Sequence, residues 1–346
     1  MSKKVAIGMS GGVDSCAAAC ILREKGYDVF GITLLLRDGD SALGDIEDAK
    51  RAAQKLGINH LVADFRQLFK EKIISDFADE YLNARTPNPC VKCNRDIKFG
   101  AMLDFALQNG ADFLATGHYA KIDFDGERYL LKKGAGRKDQ SYFLCRLNQF
   151  QLAHAMFPLA ETEKEAARQL VAAAGIEAAQ RPDSQEICFV PDDDYSAFLA
   201  TLGIHGKEGN IIDKNGQIIG RHTGIINYTI GQRKGLGAFG KPMFVTRLNA
   251  ADNTVTIGEN GEQYSAGLVA DSLNLISCDT LGEAIRADVK IRFRAPAVPA
   301  TVTPSDDGKI RIVFDDPQRS VTPGQAAVLY DGDTVIGGGR IIAALD

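Results

Sequence analysis

The sequence has no run of apolar residues approaching the about 18 that a membrane-spanning helix needs. Its N-terminus carries two lysines but lacks the apolar stretch of a secretory signal. A strong excess of one charge is also lacking, because 40 lysines and arginines face 45 acids and give a net charge of -5. A histone-like mode of nucleic-acid binding is therefore disfavoured, and we expect a cytoplasmic protein with no membrane partner.

Seven cysteines are present, an odd number in a chain without an export signal. This count favours reduced thiols over a disulfide framework. With 346 residues, 45% of them hydrophobic and 25% charged, the chain is expected to form two or three globular domains.

The first half alternates strand and helix patterns. We predict the strands Lys4–Met9, Asp28–Leu36, His60–Asp64 and Phe113–Thr116, and the helices Asp14–Lys25, Asp45–Leu56, Arg66–Asn83 and Asp96–Asn109. This alternation indicates an α/β fold with a doubly wound, mostly parallel sheet. Ligands of such sheets bind at the carboxyl ends of the strands.

After residue 205, glycines become frequent and the runs shorten. Asn215-Gly216 predicts a hairpin, and from Ala287 onward short strands predict a small barrel or sandwich. We place domain boundaries near residues 205 and 280, which gives the units 1–205, 206–280 and 281–346.

A glycine- and serine-rich loop follows the first predicted strand and opens the first helix. It comprises Gly8, Met9, Ser10, Gly11, Gly12, Val13, Asp14 and Ser15. Glycines let the backbone approach a phosphate closely, and the start of a helix favours an anion. A plain strand-to-helix turn is the alternative. The loop is neither a Walker A motif nor G-x-G-x-x-G.

The segment RTPNPCVKCN predicts an extended turn that brings Cys93 to the entry of the next helix. The helix dipole and the cations Lys92, Arg95 and Lys98 are expected to lower the pKa of this thiol. A metal half-site or a redox dithiol formed with Cys90 are alternatives. Cys188, taken alone, is expected to be a small buried residue.

Six motifs, in this order, resemble the tRNA-specific 2-thiouridylase (MnmA-type) family: RTPNPCVKCN, ATGHYAKI, KDQSYFL, PDSQEICFV, YTIGQRKGLG and TPGQAAVLY. The resemblance runs from the first strand to the last residues. It implies an ATP-pyrophosphatase (PP-loop) domain, a small central tRNA-binding domain and a C-terminal β-barrel.

The resemblance also implies a reaction. ATP, with Mg²⁺, adenylates the C2 oxygen of the wobble uridine of tRNA. Cys188 carries sulfur as a persulfide, Cys93 acts as a nucleophile, and the two thiols end as a disulfide. The implied partners are tRNA and a sulfur donor, such as a cysteine desulfurase or a sulfur-relay protein, and not DNA.

By the same resemblance, the loop holds the pyrophosphate half of ATP, while Leu34 and Gly117 also contact ATP. Asn88, Pro89 and Cys90 lie near the target base. The remaining tRNA contacts implied are His118, Lys138, Asp139, Gln140, Arg292, Phe293 and Gln325.

One departure concerns Cys90, because many family members carry aspartate there. Either Cys90 simply substitutes, or Cys90, Cys93 and Cys188 hold an iron–sulfur cluster. We prefer the persulfide route, with no bound metal.

The stretch between Asp213 and Asp252 contains no acidic residue. The cations of this stretch predict contacts with phosphates. They are Lys214, Arg221, Arg233, Lys234, Lys241 and Arg247. Alternation in KIRFR places Lys290, Arg292 and Arg294 on one strand face, for which a solvated surface is the alternative.

Two other functions explain fewer motifs: an ATP-pyrophosphatase synthetase acting on a metabolite, and a non-catalytic RNA-binding protein with a thiol–metal site.

Overall fold

The computed structural model describes residues 2–136, 138–180 and 187–346. The predicted motif residues 181–186 lie outside the described residues. Within the described ranges, no helix combines the length and apolar character that crossing a membrane requires.

The strands are β1 (Lys4–Gly8), β2 (Asp28–Leu35), β3 (Asn59–Asp64), β4 (Phe113–Ala115), β5 (Ala120–Phe124), β6 (Tyr129–Lys133), β7 (Ala155–Met156), β8 (Gly209–Ile212), β9 (Ile218–His222), β10 (Phe244–Asn249), β11 (Thr254–Gly258), β12 (Tyr264–Leu275), β13 (Ile285–Lys290), β14 (Val298–Pro304), β15 (Ile310–Arg319), β16 (Ala326–Asp331) and β17 (Thr334–Leu345). The helices are α1 (Val13–Glu24), α2 (Asp40–Leu56), α3 (66–82), α4 (89–108), α5 (Gln149–Ala153), α6 (Lys164–Ala173) and α7 (Tyr195–Thr201). Helices α3 and α4 contain the π-helical stretches Lys70–Ile74 and Asn94–Met102.

The first sheet is parallel throughout, in the order β3-β2-β1-β4-β7. Side chains alternate between its two faces, as the two-residue period of a strand requires. Ala6 packs with Phe99 of α4 on one face, whereas Val5 and Ile7 pack with residues of α1, α2 and α6 on the other. Both faces are covered, which confirms the predicted doubly wound α/β fold.

Helix α4 begins at Pro89, earlier than the predicted start at Asp96. Proline is well suited to the first turn of a helix, because its fixed φ matches and its missing N–H needs no partner there. Cys90 and Cys93 therefore lie inside the helix, and the extended segment ends at Asn88.

The central part forms a four-stranded sheet in the order β10-β11-β8-β9. The predicted hairpin is confirmed, because β8 and β9 pair antiparallel around a turn in which Gly216 has a φ of 81°. Only glycine adopts that conformation without strain.

The C-terminal barrel closes through pairing of β12 with β17, in the order β12-β15-β14-β13-β16-β17. The hairpin of β5 and β6 joins it where Thr334 pairs with Lys132. The strand pairing places Tyr264–Leu275 in this barrel, although the sequence boundaries assigned these residues to the central domain. The barrel closes only with this strand, since it bridges β15 and β17.

Side chains from the first part of the chain anchor the barrel. The Tyr142 hydroxyl donates to the Ala326 carbonyl at 3.0 Å, and the hydroxyls of Ser141 and Tyr330 lie 3.2 Å apart. The side chains of Ser141, Tyr142 and Tyr330 are all fully buried. The barrel is thus held against residues 141–144, which contact α4, and α4 carries three of the predicted site residues: Pro89, Cys90 and Cys93.

Candidate active site

The phosphate loop turns tightly between β1 and α1. Gly11 has a φ of 69°, and Gly12 caps the helix. The Ser15 hydroxyl accepts from the Ser10 amide at 3.3 Å and lies 3.1 Å from the Gly12 carbonyl, to which it can donate. This closed turn directs the positive end of α1 toward the space outside the sheet, where an anion is stabilised.

Other loop residues contribute through their main chain. Met9 and Val13 are buried, and the Met9 amide and carbonyl are bonded to Ile32 and Thr33 of β2 at 2.8 Å each. Gly8 lies at the end of β1, where an added Cβ would come within 3.1 Å of the Met102 side chain. These contacts fix the loop to the sheet.

Asp14 gathers two cations beside the loop. Its carboxylate accepts from the Tyr119 hydroxyl at 2.7 Å, from Lys164 at 2.6 Å and from Lys138 at 3.3 Å. The resemblance implied a tRNA contact for Lys138, and Lys164 was missed altogether. No local motif marks Lys164, since only the fold brings the start of α6 to the phosphate loop.

The end of β4 also reaches the phosphate loop. A Cβ on Gly117 would lie 2.6 Å from the Asp14 carbonyl carbon and 2.8 Å from the Ser15 amide nitrogen. Leu34, half-buried at the end of β2, packs against two cores of the molecule. The ends of three parallel strands therefore share one edge, the place where such sheets bind ligands.

The three thiols of the predicted sulfur site are free. Cys90 and Cys188 are exposed and Cys93 is half-buried, yet burial raises the pKa of Cys90 to about 11 and that of Cys93 to about 12. Side chains that solvent can reach and that are nevertheless strongly desolvated lie in a recess of the protein surface. Charge on Cys188 raises the pKa of both Cys90 and Cys93, so the three thiols lie near one another.

Cys188 is tied to the nucleotide side of the molecule. Its carbonyl accepts from the Arg37 guanidinium at 2.8 Å, and Arg37 follows β2 directly. Arg37 also contacts Asp45 of α2 at 3.4 Å, and α2 packs against Gly11. The Cys188 segment thus lies beside the edge that carries the phosphate loop.

The expectation of a low pKa for Cys93 is wrong. Burial dominates, and two of the three cations invoked are held elsewhere: Lys92 lies 3.4 Å from Asp96, and Arg95 bonds Asp96 at 2.5 Å. Only Lys98 lowers the pKa of Cys93. Burial also raises the pKa of Cys188, again partly offset by Lys98.

His118 lies under the same edge. It is buried and bonded to Thr116 at 2.7 Å, and burial followed by the charge of Lys98 holds its pKa well below the usual value. A neutral, buried imidazole offers no positive charge to an RNA phosphate, and the tRNA contact of His118 stays a prediction.

Three other predicted tRNA contacts hold main-chain segments. Asp139 accepts from the Ser141 amide at 3.0 Å, and Gln140 accepts from the Tyr119 amide at 3.1 Å. Gln325 donates to the Thr86 and Pro87 carbonyls at 3.0 Å each, which fixes the extended segment before Asn88. Pro89 is buried next to it.

The expected face of alternating cations is not formed. Strand β13 ends at Lys290, so Arg292 and Arg294 lie beyond it in a turn. Arg292 donates to the Ile230 carbonyl at 2.9 Å, and the Phe293 ring lies 4.4 Å from that of Phe143. These two side chains link the barrel to its neighbours.

Among the residues that the structure describes, no group of three or more histidine, cysteine, aspartate or glutamate side chains is arranged to hold a metal ion. Cys90, Cys93 and Cys188 are all described, so these three thiols do not form such a single-ion site in this structure.

Comparison with known proteins places this geometry in a family. Profiles described as tRNA methyl transferase HUP domain, PRC-barrel domain and aminomethyltransferase β-barrel domain match residues 3–192, 196–259 and 265–341. The chain is 49% identical to tRNA-specific 2-thiouridylase MnmA of Acetivibrio thermocellus, over 98% of this chain and 99% of that protein. This chain belongs to the tRNA-specific 2-thiouridylase family.

A second member, from Clostridioides difficile, is 48% identical over 100% of this chain and 99% of its own. Among solved structures, U34-tRNA thiolase NcsA from Methanococcus maripaludis with its 4Fe-4S cluster is 19% identical, with a TM-score of 0.36, covering 58% of this chain and 66% of that one. A likeness of that size carries no argument about chemistry. The 2-thiouridylase family uses ATP, which the phosphate loop suits.

Gly117→Ala is predicted to displace the phosphate loop, because the new Cβ meets main-chain atoms that cannot rotate away. We expect ATP-dependent pyrophosphate release to fall about a hundredfold, as displacements of about 1 Å do in active sites. Gly44→Ala, on the open surface of α2, is the matched control. Wild-type turnover in Gly117→Ala would contradict this account of the edge.

The thiol of Cys93 is predicted to be protonated at neutral pH, since its pKa is about 12. Its alkylation by iodoacetamide should rise about tenfold per pH unit between about pH 7 and pH 10, without levelling off. Peptide mass spectrometry reports the rate at this residue alone. Lys98→Met should slow alkylation at every pH, whereas Lys72→Met, on the exposed side of α3, should not. A plateau near neutral pH would show a low pKa instead.

Proposed function

We propose that this chain is an ATP-dependent tRNA sulfurtransferase that replaces the C2 oxygen of the wobble uridine with sulfur. One observation carries the proposal: the phosphate loop, Gly117 and the Cys188 segment all lie at the edge where the parallel strands end. Nucleotide chemistry and thiol chemistry can then act on one base.

In the first step, the C2 oxygen of uridine attacks the α-phosphorus of ATP. An oxygen–phosphorus bond forms, and the bond to pyrophosphate breaks. The phosphate loop would hold the leaving pyrophosphate, with Lys138 and Lys164 adding positive charge. Mg²⁺ would enter with the phosphates, since it needs few protein carboxylates, and Asp14 is the carboxylate of the loop.

In the second step, the outer sulfur of a Cys188 persulfide attacks C2, and AMP leaves with the original oxygen. Cys93, as its thiolate, then attacks the Cys188 sulfur and breaks the S–S bond. Sulfur stays on the base, the two cysteines form a disulfide, and an external thiol reductant restores them. The ammonium of Lys98 would stabilise the anionic sulfur species, because it already lowers the pKa of both thiols.

The RNA would be held by the start of α4 at Asn88–Cys90 and by basic residues of the central part of the chain. Three cations there are exposed and lack an ion pair within the described chain: Arg233, Lys234 and Arg247. Three others are already paired with acids: Lys214, Arg221 and Lys241. The free cations are the stronger candidates for phosphate contacts.

The sulfur donor must reach Cys188, whose exposure suits delivery from a cysteine desulfurase or a relay protein. Seven free thiols agree with a reducing compartment such as the cytoplasm. No step of the proposal passes through an iron–sulfur cluster.

Cys93→Ser and Cys188→Ser are each predicted to abolish 2-thiouridine formation in persulfide-fed reactions while leaving tRNA-dependent pyrophosphate release intact. Serine keeps the shape of the recess but cannot carry or displace sulfur. Nucleoside analysis of unmodified tRNA and a pyrophosphate assay report the two steps separately. Cys278→Ser, in the loop after β12, is the control.

Thiolation by either serine variant at the wild-type rate would remove the role given to that cysteine. Pyrophosphate release that responds to a metabolite and not to tRNA would support a small-molecule synthetase instead.

A further inference from the structure

A cavity of about 200 Å³ lies between α3, α4 and the barrel, on the side of α4 away from the thiols. The side chains that matter here are Asn88, Lys92, Arg95, Arg146, Gln325 and Arg340. Residues 88, 91, 92 and 95 follow the spacing of one helical face, whereas Cys90 and Cys93 lie on the other. The cavity is polar and rich in cations.

Arg146 is the unusual member. Its Nε is buried without a hydrogen-bond partner, and no carboxylate of the described chain lies within ion-pair distance of its guanidinium. Burial and the nearby charge of Arg95 both lower its pKa, so the folded protein disfavours this cation. Arg146 is half-buried, and a partly desolvated guanidinium that is left unpaired is destabilising unless an anion joins it.

The other cations of the cavity are already neutralised. Arg340 lies 2.8 Å from Asp271 and 3.1 Å from Glu80. Lys92 lies 3.5 Å from Asp76, and Arg95 is bonded to Asp96. Arg146 therefore supplies one uncompensated positive charge, in a space large enough for a tetrahedral anion.

We propose that Arg146 binds a backbone phosphate of tRNA next to the target uridine, in this cavity. The inference rests on the proposed function, which brings the target base to Asn88–Cys90 at the start of α4. Asn88 also lines the cavity, so the base and the cavity lie next to each other. The width of α4, about 10 Å, separates the phosphate from the thiols. Guanidinium is suited to phosphate because its planar fork donates two parallel hydrogen bonds.

The test is Arg146→Met, which keeps most of the side-chain volume and removes the charge. We expect the affinity for unmodified tRNA to fall about tenfold to a hundredfold, with a salt slope smaller by about one. The melting temperature of the free protein should rise, because an unpaired buried charge is removed. A purely structural arginine would lower it.

Arg286→Met is the matched control. This arginine is exposed on β13, pairs with Asp315 at 2.6 Å and does not line the cavity. Its loss changes net charge equally, so tRNA affinity should stay near that of the wild type. Equal weakening by both variants would reduce the effect to overall charge and overturn the site.

Anticodon stem–loop RNAs with single methylphosphonate linkages identify the phosphate. Wild-type protein should lose affinity at one linkage beside the target uridine, and Arg146→Met should show no further loss there. Equal sensitivity of the two proteins at every linkage would overturn the proposal. Binding is measured without ATP, so RNA bound through Arg146 but never thiolated would contradict the proposed function and leave this site standing.

Discussion

The close approach of two backbone segments, the phosphate loop and the end of β4, is the constraint on which the site depends. Gly117 makes it feasible, since any side chain there would collide with the main chain of Asp14 and Ser15. His118 follows Gly117 directly and lies near Lys98, whose charge lowers its pKa. In the function that we propose, nucleotide and sulfur chemistry share an edge because three parallel strands end there together.

Burial affects a thiol on one side of α4 and a cation on the other. On the thiol side it keeps Cys93 protonated, so that reactive sulfur is limited until the recess gains positive charge. On the cavity side it leaves Arg146 without an acid, which favours an incoming anion. The unpaired arginine lowers the stability of the free protein and suits a bound, negatively charged RNA.

Local chemistry made much of this molecule predictable. The glycine–serine loop, the parallel strands and the turn at Gly216 follow from residues that are neighbours in sequence, and all are present. Family motifs supplied the thiols, and their joint role in catalysis stays a prediction.

The remaining features depend on long-range contacts. Lys164 meets Asp14, 150 positions away, only because α6 packs on α1. Cys93 was expected to be acidic because its cations are close in sequence, but folding pairs Lys92 and Arg95 with Asp96. Strand β12 belongs to the barrel through partners in β15 and β17 that no local pattern names.

The central claim is that the sulfurs of Cys93 and Cys188 meet during one turnover at the nucleotide edge. Single-turnover reaction of persulfide-loaded protein with tRNA and ATP, quenched in acid and followed by peptide mass spectrometry, tests it most directly. The account predicts one Cys93–Cys188 disulfide for each 2-thiouridine formed, and none when ATP is omitted. Formation of 2-thiouridine with both cysteines still reduced would contradict it.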